Sequence, residues 1–423
     1  MKINQLLLES KDIGRNSYIW NMMGSMLLAF QSVILLMVLT RVLGLRDAGT
    51  FTIAYANANL FLTIGKYGMR NFQASDVRRQ FSFWDYARSR WVTSLAMVLV
   101  SVGYVLYAGI KNAYGQDKTL VILCMCLMKV VDSAEDVFCG LYQQHNRLDV
   151  GAKAMTLRLA ATILIFGAGL ILLKNLLATL LITTVCTTAL FLLFIGSSYR
   201  EFVQEDGPAE WRNVWLLLRL CFPLFAGQFL SFYVTNAPKY AIDALLTDEA
   251  QACYGFISMP VFVVSLLNEF IFNPILYKMS SLWEEKQIKA FVRRTAGQTG
   301  VIALITLVCM AGAWLLGIPV LSWLYHTDLA PYKMELLILL LGGGFLGLSG
   351  FMATMNTIIR RQRNLMWGYA AVALLAFLYS EKAVARFGML GAAVLYAALM
   401  AVLCVVFLGL FTAQTIHEVV KDV

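Results

Sequence analysis

The sequence is poor in charged residues, proline and histidine. Only 14% of its 423 residues are charged, whereas soluble domains carry about a quarter. Hydrophobic residues make up 60% of the chain, and the mean hydropathy is +0.70. A soluble fold with this composition would expose apolar surface that it could not cover, which excludes an ordinary soluble enzyme and a disordered chain. With seven prolines and few polar tracts, no sizeable water-soluble domain is expected. We predict a polytopic membrane protein.

Motifs of catalysis and ATP hydrolysis are also lacking. The sequence has no G-x-x-x-x-G-K-[ST] loop, so the chain cannot itself be an ATP-driven pump of that kind. It has no H-E-x-x-H or G-x-S-x-G motif, and we predict that it is not an enzyme and has no cofactor. Three histidines, with cysteines mostly inside apolar runs, predict neither a metal site nor a disulfide framework. Gly343 and Gly347 form a small-xxx-small pair that predicts close helix packing rather than a nucleotide loop.

Twelve apolar runs are long enough to cross a membrane, which takes about 20 residues in a helix. They lie near 17–39, 50–70, 91–110, 120–144, 152–173, 176–196, 213–236, 251–277, 297–317, 335–358, 365–381 and 388–412. The predicted fold class is therefore an all-α polytopic membrane protein with about twelve transmembrane helices.

A hydrophilic break at 197–213 divides six runs from six. It predicts an N-terminal six-helix lobe over 1–199, a cytoplasmic linker at 200–212 and a C-terminal six-helix lobe over 213–423. Two such six-helix bundles suggest parallel repeats about an axis normal to the membrane.

Basic residues indicate the orientation. Most of the 34 lysines and arginines fall in the segments that are cytoplasmic if the amino terminus is, including clusters within 66–90, 278–294 and 360–363. The positive-inside rule therefore predicts that both termini are cytoplasmic. Membrane orientation accounts for the net charge of +9 better than a nucleic-acid surface does, and no nucleic-acid partner is expected.

The second apolar run carries a polar stripe at three- and four-residue steps. The stripe comprises Thr52, Tyr55, Asn59, Thr63, Lys66, Tyr67 and Arg70. On a continuous helix these residues share one face, which a lipid-facing helix would not carry. The stripe indicates either a polar cavity or hydrogen bonding between helices, with Lys66 and Arg70 reaching the inner interface.

The fourth run carries ionisable side chains at the same spacing, and the fifth adds an arginine at similar depth. These residues are Lys129, Asp132, Glu135, Asp136 and Cys139, with Arg158 in the fifth run. We expect Arg158 to pair with Glu135 or Asp136. The cluster is either a buried ion-pair network or a relay for a proton or cation.

The seventh and eighth runs combine polar groups with helix breakers. The seventh contains Arg219, Pro223, Gly227, Gln228, Thr235, Asn236 and Lys239, and the eighth contains Asn268, Glu269, Asn273 and Pro274. Bent helices with polar faces indicate a transport path, although a purely structural bend is the alternative.

Three of these segments resemble the polysaccharide branch of the multidrug/oligosaccharidyl-lipid/polysaccharide (MOP) exporter superfamily, the Wzx-type O-antigen flippases. They are the stretch beginning NSYIWNMMGSMLLAF at 16–77, EDVFCGLYQQHNRLDVGAK at 135–153 and CFPLFAGQFLSFYVTNAPKYAID at 221–243. The length and the twelve runs agree as well, so the resemblance extends over the whole chain.

The resemblance implies a MATE-like pair of six-helix bundles around a central cavity. It implies a membrane transporter that flips polyprenyl-pyrophosphate-linked oligosaccharide from the inner to the outer leaflet for surface polysaccharide biosynthesis, by alternating access without ATP. The implied location is the bacterial cytoplasmic membrane. The implied partners are the lipid-linked oligosaccharide and membrane lipid, with other polysaccharide-assembly proteins as further candidates.

Candidate site residues fall into three groups, of which the cationic group is carried over from the family by position. Cationic candidates for the pyrophosphate are Arg41, Lys66, Arg70, Arg219 and Lys239. Candidates for the rest of the substrate are Tyr55, Asn59, Gln228, Asn236, Asn268 and Glu269. Asp132, Glu135 and Asp136, with Lys129 and Arg158, form either a site for a coupling cation (H+ or Na+) or a structural ion pair. Arginine forks and amide donors suit a pyrophosphate on chemical grounds too.

Two other functions stay open. A small-molecule or drug exporter of the same superfamily would need acidic cavity residues, and Glu269 fits that requirement. A membrane enzyme acting on a lipid-linked glycan belongs to a different class. It would need a catalytic outer loop, and the predicted outer loops are short.

Overall fold

A computed structural model describes residues 3–76, 79–203, 207–272, 275–359 and 362–421 of the chain. None of these residues lies in a β-strand. The helices are α1 Ile3–Leu8, α2 Ile13–Leu43, α3 Leu45–Lys66, α4 Met69–Ser75, α5 Phe83–Lys111, α6 Gln116–Gln144, α7 Leu148–Leu173, α8 Leu176–Ser198, α9 Trp211–Leu245, α10 Asp248–Phe272, α11 Leu276–Glu284, α12 Ile288–Gly312, α13 Ile318–Tyr325, α14 Lys333–Ile358 and α15 Gln362–Lys421.

The helices confirm a polytopic membrane protein. Eight helical stretches of the described chain are long and apolar enough to cross a membrane. The last of them, Asn364–Thr415, has 52 residues and bends at Gly388, so it is long enough to cross twice. Helices α3, α6 and α10 have 22, 29 and 25 residues, and they carry more polar side chains. Together these segments account for the twelve predicted crossings.

Several helix boundaries differ from the predicted runs, and two of these differences lie near the candidate site. Helix α3 ends at Lys66 instead of continuing to residue 70, because Tyr67 and Gly68 both adopt left-handed backbone conformations, with φ values of 52° and 64°. Helix α5 begins at Phe83, eight residues before the predicted start of its apolar run. Ser82 and Asp85 form a capping box there, in which each side chain accepts a hydrogen bond from the other residue's backbone N–H.

Prolines lie inside the described helices α9 and α10. Helix α9 runs unbroken through Pro223, and α10 contains Pro260. The predicted breaker Asn273-Pro274 lies outside the described residues, as do Arg360 and Arg361 of the predicted basic clusters.

The internal contacts divide the chain into two compact units, Met1–Phe229 and Leu230–Val423. In the first unit α2 packs against α7, and α3 packs against α5 and α6. A hydrophobic core at one end of this unit joins α4, α5 and α6 to the first half of α9, through residues that include Met69, Tyr86, Leu141 and Cys221. The predicted lobes, separated by a linker at 200–212, stay a prediction.

In the second unit α14 packs against α10, α12 and α15. The predicted glycine pair lies at one of these contacts. A Cβ added at Gly343 would lie 2.9 Å from Val261 Cγ1 of α10, and one added at Gly347 would collide with the Asn268 amide. The pair therefore allows α10 and α14 to approach closely, as predicted.

Candidate functional site

A polar pocket of about 290 Å³ lies where α3 ends and α4 begins, within the first unit. It is lined by Lys66, Gly68, Arg70, Asn71, Asp136, Gln143 and Gln228. Four of these residues, Lys66, Arg70, Asp136 and Gln228, are ones that the sequence analysis singled out. We refer to this cavity as the α3–α4 pocket.

The break between α3 and α4 forms the pocket because it turns the chain beside α9. Tyr67 stacks on Phe225 of α9, with ring centroids 4.5 Å apart and an interplanar angle of 9°. Gly68 lies against Leu224, whose Cβ would be 2.9 Å from a Cβ added at the glycine. The Gly68 backbone is left-handed, a conformation that glycine adopts at little cost. These contacts hold Lys66 and Arg70 on either side of the turn.

Arg70 therefore does not continue the polar stripe of α3, because it lies on α4. The more deeply placed members of the stripe direct their hydrogen bonds to their own helix. Thr52 Oγ1 donates to Ala48 O at 2.8 Å, and Asn59 Nδ2 donates to Tyr55 O at 2.8 Å. Lys66 and Arg70 line the same pocket although the helix between them is broken.

The negative charge in the pocket is shared between two arginines. Arg90 Nη2 donates to Asp136 Oδ2 at 2.8 Å, and Arg70 Nη1 lies 4.0 Å from Asp136 Oδ1. Arg90 is 3% exposed and also donates to Gly65 O of α3. Lys66 lines the same pocket, so the described lining holds two cations and one carboxylate, and that carboxylate is also bound by Arg90. The pocket thus carries net positive charge, with amide groups from Asn71, Gln143 and Gln228 on its walls.

Two other acids of α6, Asp132 and Glu135, face α7 instead. Arg158 Nη2 donates to Glu135 Oε2 at 2.6 Å and to Asp132 Oδ1 at 2.7 Å, and Arg158 Nε donates to Glu135 Oε1 at 2.9 Å. The predicted pairing of Arg158 with Glu135 is confirmed, whereas Asp136 pairs with Arg90. The reason is the spacing along α6: Asp132 and Glu135 face α7, and Asp136 is turned toward α5.

Lys129 completes this ion-pair network. Its Nζ donates to Asp132 Oδ2 at 2.8 Å, and it lies 5.1 Å from the ring centre of Tyr55 on α3. Arg158 Nη1 donates to Thr187 Oγ1 of α8 at 3.1 Å. Two cations and two carboxylates are therefore paired, and the lysine and arginine are almost fully buried.

Of the remaining predicted site residues, Arg41 and Arg219 are exposed on α2 and α9. In the second unit, Asn236 is 8% exposed and its Nδ2 donates to Phe232 O at 3.0 Å. Lys239 is half-buried on α9.

Two further predicted residues lie on α10. Asn268 is 1% exposed and packs against Gly347. Glu269 belongs to the same helix, but its side chain lies outside the described part of the structure.

Sequence reasoning missed Arg90 as a site residue. It counted Arg90 only among the basic residues that set the orientation, since the third apolar run, which corresponds to α5, was predicted to start at residue 91. With α5 starting at Phe83, Tyr86, Arg90, Thr93 and Met97 recur at three- and four-residue steps and are all buried. That spacing was the available signal for a buried arginine.

Comparisons with known proteins agree with this architecture. Residues 15–280 match the family model described as "Polysaccharide biosynthesis protein". No curated protein sequence matches the chain significantly.

Solved structures share the fold at low sequence identity. An inward closed structure of the lipid II flippase MurJ has a TM-score of 0.72 and 14% identity, covering 97% of this chain and 89% of that one. An inward-facing multidrug resistance MATE family transporter of the MOP superfamily has a TM-score of 0.71 and 11% identity, covering 94% and 96%. A Vibrio cholerae MATE transporter, VcmN in its bent form, has a TM-score of 0.61 and 9% identity, covering 99% of both chains. The chain therefore has the MOP-superfamily fold that the resemblance implied.

Proposed function

Because the chain belongs to the polysaccharide biosynthesis protein family, we propose that it is a transporter that flips a polyprenyl-pyrophosphate-linked oligosaccharide from the inner to the outer leaflet. The observation that carries this proposal is the α3–α4 pocket, in which Lys66 and Arg70 lie on either side of a chain turn. The structural similarity to a lipid II flippase and to MATE transporters concerns the fold alone, so the choice of substrate rests on the pocket chemistry.

The charge of the pocket favours an anionic headgroup. Asp136 is held by Arg90, so Arg70 and Lys66 keep donors that a pyrophosphate could accept from. Arginine presents a planar fork that matches phosphate oxygens, and lysine adds a point charge. A positively charged drug would instead require an excess of acidic side chains, and the described lining contains one acid, Asp136.

The size of the pocket favours the headgroup rather than the whole glycan. Its volume of about 290 Å³ is at the lower end for small-molecule sites, which span about 300–1,000 Å³. Asn71, Gln143 and Gln228 supply amide donors and acceptors at its walls, which suit phosphate oxygens and the first sugar hydroxyls. We propose that the isoprenoid tail stays in the bilayer.

The direction of transport follows from charge. Moving an anion from a negative interior to the outside is favourable by about 2.3 kcal/mol of free energy per charge per 100 mV. For a headgroup with two charges the favourable free energy is roughly twice that, and no ATP is needed. We propose alternating access between two six-helix lobes, in a bacterial cytoplasmic membrane, with both termini cytoplasmic. Membrane lipid surrounds the isoprenoid tail of the substrate, and other polysaccharide-assembly proteins are candidate partners.

For the ion-pair network of α6 and α7 we propose a structural role. Asp132 and Glu135 are each paired with a buried cation, which leaves little carboxylate charge to attract H+ or Na+. A coupling cation, if the cycle uses one, would then bind elsewhere in the chain.

The experiment is to measure lipid-linked oligosaccharide in cells that lack this gene. We expect finished, inward-facing carrier to accumulate, and we expect the wild-type gene, but not Lys66→Gln or Arg70→Gln, to relieve the accumulation. Arg200→Gln, an exposed arginine outside the pocket, is the matched control and should behave as wild type.

Other outcomes would replace the proposal. Truncated sugars would indicate an assembly enzyme, and finished units stranded on the outer leaflet would indicate a ligase or polymerase. An unchanged lipid pool would favour the small-molecule exporter. Equal protein abundance in the membrane must be verified for each variant, so that a folding defect is not taken for a transport defect.

A further inference from the structure

A second cavity, distinct from the α3–α4 pocket, lies between the start of α5 and the segment that leads into α9. Its volume is about 480 Å³, and it is lined by Trp84, Ala87, Arg88, Trp91, Pro208 and Ala209. Arg88 is the charged member of this described lining. We refer to this cavity as the tryptophan groove.

The residues of α5 that form the groove continue into an exposed apolar stripe. Trp84, Arg88 and Trp91 are spaced by four and three residues, so they share one face of the helix. Further along α5, Leu95 and Leu99 are 61% and 64% exposed. From Arg88 the stripe continues through the Trp91 indole to the exposed leucines, which follows the polarity profile of a phospholipid from its headgroup to its acyl chain.

The groove is built by specific contacts. Arg88 Nη1 donates to Ala209 O at 3.1 Å, and the Arg88 guanidinium carbon lies 5.2 Å from the ring centre of Trp211. Asp85 accepts hydrogen bonds from Glu210 N at 2.8 Å and from Asn213 Nδ2 at 3.1 Å. These contacts fix the segment before α9 against α5, so that the arginine is held at the mouth of the groove.

Among the described residues that line the groove, Arg88 is the charged side chain, and its partners there are the Ala209 carbonyl and the Trp211 ring. Asp85 is 2% exposed and directs its oxygens toward the backbone and amide donors of the opposite wall. Glu210 and Arg212, on the segment that leads into α9, are both exposed. Indole rings at the membrane interface and a cation beside them favour an anionic headgroup over a zwitterionic one.

We propose that the tryptophan groove binds an anionic glycerophospholipid, with the phosphate at Arg88 and an acyl chain along Trp91, Leu95 and Leu99. This lipid is a resident of the leaflet at the N-terminal end of α5 and is not the transported substrate. The proposal therefore does not depend on the proposed function.

The test is native mass spectrometry of the purified full-length protein, titrated with phosphatidylglycerol or phosphatidylcholine of identical acyl chains and without oligosaccharide. We expect about a fivefold preference for phosphatidylglycerol, the size of effect that one basic residue near a membrane surface produces. Arg88→Gln should reduce the preference to about one, Arg88→Lys should retain most of it, and Arg200→Gln should leave it unchanged.

Trp91→Ala provides a second variant, because it removes apolar contact and no charge. It should weaken the binding of both lipids and preserve their ratio. Equal binding of the two lipids by the wild type would show that the groove does not select an anionic lipid, and it would overturn the proposal in favour of a neutral lipid or a protein as the occupant. A preference that survives in Arg88→Gln, or an unaltered affinity in Trp91→Ala, would also overturn it.

Discussion

Arg90 and Asp136 form a buried ion pair that ties α5 to α6 at the wall of the α3–α4 pocket. Arg90 Nη2 lies 2.8 Å from Asp136 Oδ2, and the two side chains are 3% and 8% exposed. Because Arg90 also donates to Gly65 O, one guanidinium connects three helices. The pair therefore has two roles: it holds the pocket wall, and it occupies the carboxylate that would otherwise neutralise Arg70.

Arg90→Gln should destabilise the protein by about 3–5 kcal/mol, because it leaves the Asp136 carboxylate buried and poorly paired. Asp136→Asn should also destabilise it, since the buried guanidinium then loses its counter-charge. The double variant should lose less stability than the sum of the two single variants. Thermal unfolding in detergent measures all three. Additive losses would show that the ion pair contributes no coupling energy.

Much of the fold was predictable, because hydropathy and helix length report directly on membrane crossing. The bend of α15 at Gly388 falls at the first residue of the last predicted run, and the glycine pair of α14 marked a close helix contact. The end of α3 was not predictable in the same way. At this break Tyr67 stacks on Phe225, a residue far along the chain, and the periodicity of the sequence gives no sign of that contact.

The candidate site was predictable as a set of residues but not as a set of pairs. Helical spacing placed Asp132, Glu135 and Asp136 near one another and offered Glu135 or Asp136 as the partner of Arg158, of which Glu135 is the observed one. It could not show that Asp136 turns toward Arg90, because one residue along a helix corresponds to a rotation of about 100°. Which neighbour an acid meets is decided by the packing of α5 and α7 around α6.

Lys66→Gln and Arg70→Gln should each weaken the binding of a polyprenyl pyrophosphate by about tenfold or more. Each change removes one charge-assisted hydrogen bond, which is worth about 1.5–3 kcal/mol. Equilibrium binding of a short-chain polyprenyl pyrophosphate to the purified protein provides the measurement. The corresponding polyprenyl alcohol should bind equally to wild type and variants, because it lacks the anion.

Lys239→Gln tests whether the pyrophosphate binds at Lys239, another of the predicted cationic candidates, instead of in the α3–α4 pocket. Lys239 lies in the second unit, and if it held the pyrophosphate its variant would show the larger loss. We expect the loss to be larger for Arg70→Gln. The reverse order would move the headgroup site out of the α3–α4 pocket, and Arg200→Gln again serves as the exposed control.

Arg158→Met should be among the most destabilising substitutions in the first unit. It removes the donors to Glu135, Asp132 and Thr187 together and leaves two carboxylates near a single lysine. Arg158→Lys should rescue little, because an ammonium cannot reproduce the planar fork. Thermal unfolding of the detergent-solubilised protein measures the effect, and we expect a loss of about 3 kcal/mol or more.

The same network tests the choice between ion pairing and cation coupling. In Glu135→Gln, which retains hydrogen-bonding groups, we expect lower stability but an unchanged dependence of transport on pH and on Na+. Reconstituted vesicles with imposed ion gradients provide this measurement. A transport rate that no longer responds to either gradient would establish a cation relay at Glu135 in place of a structural role.

Gly68→Ala should disturb the turn that forms the α3–α4 pocket. The residue has a φ of +64°, and an added Cβ would lie 2.9 Å from Leu224 Cβ, so the alanine adds both backbone strain and a steric contact. We expect a loss of about 1–2 kcal/mol from the backbone conformation alone, with weaker pyrophosphate binding as α9 moves away from Lys66. Gly103→Ala, within α5 and with open space around its Cβ, should be neutral or slightly stabilising. Combining Gly68→Ala with Leu224→Ala separates the two causes: recovery of binding would assign the defect to the steric contact, and no recovery would assign it to the left-handed turn itself.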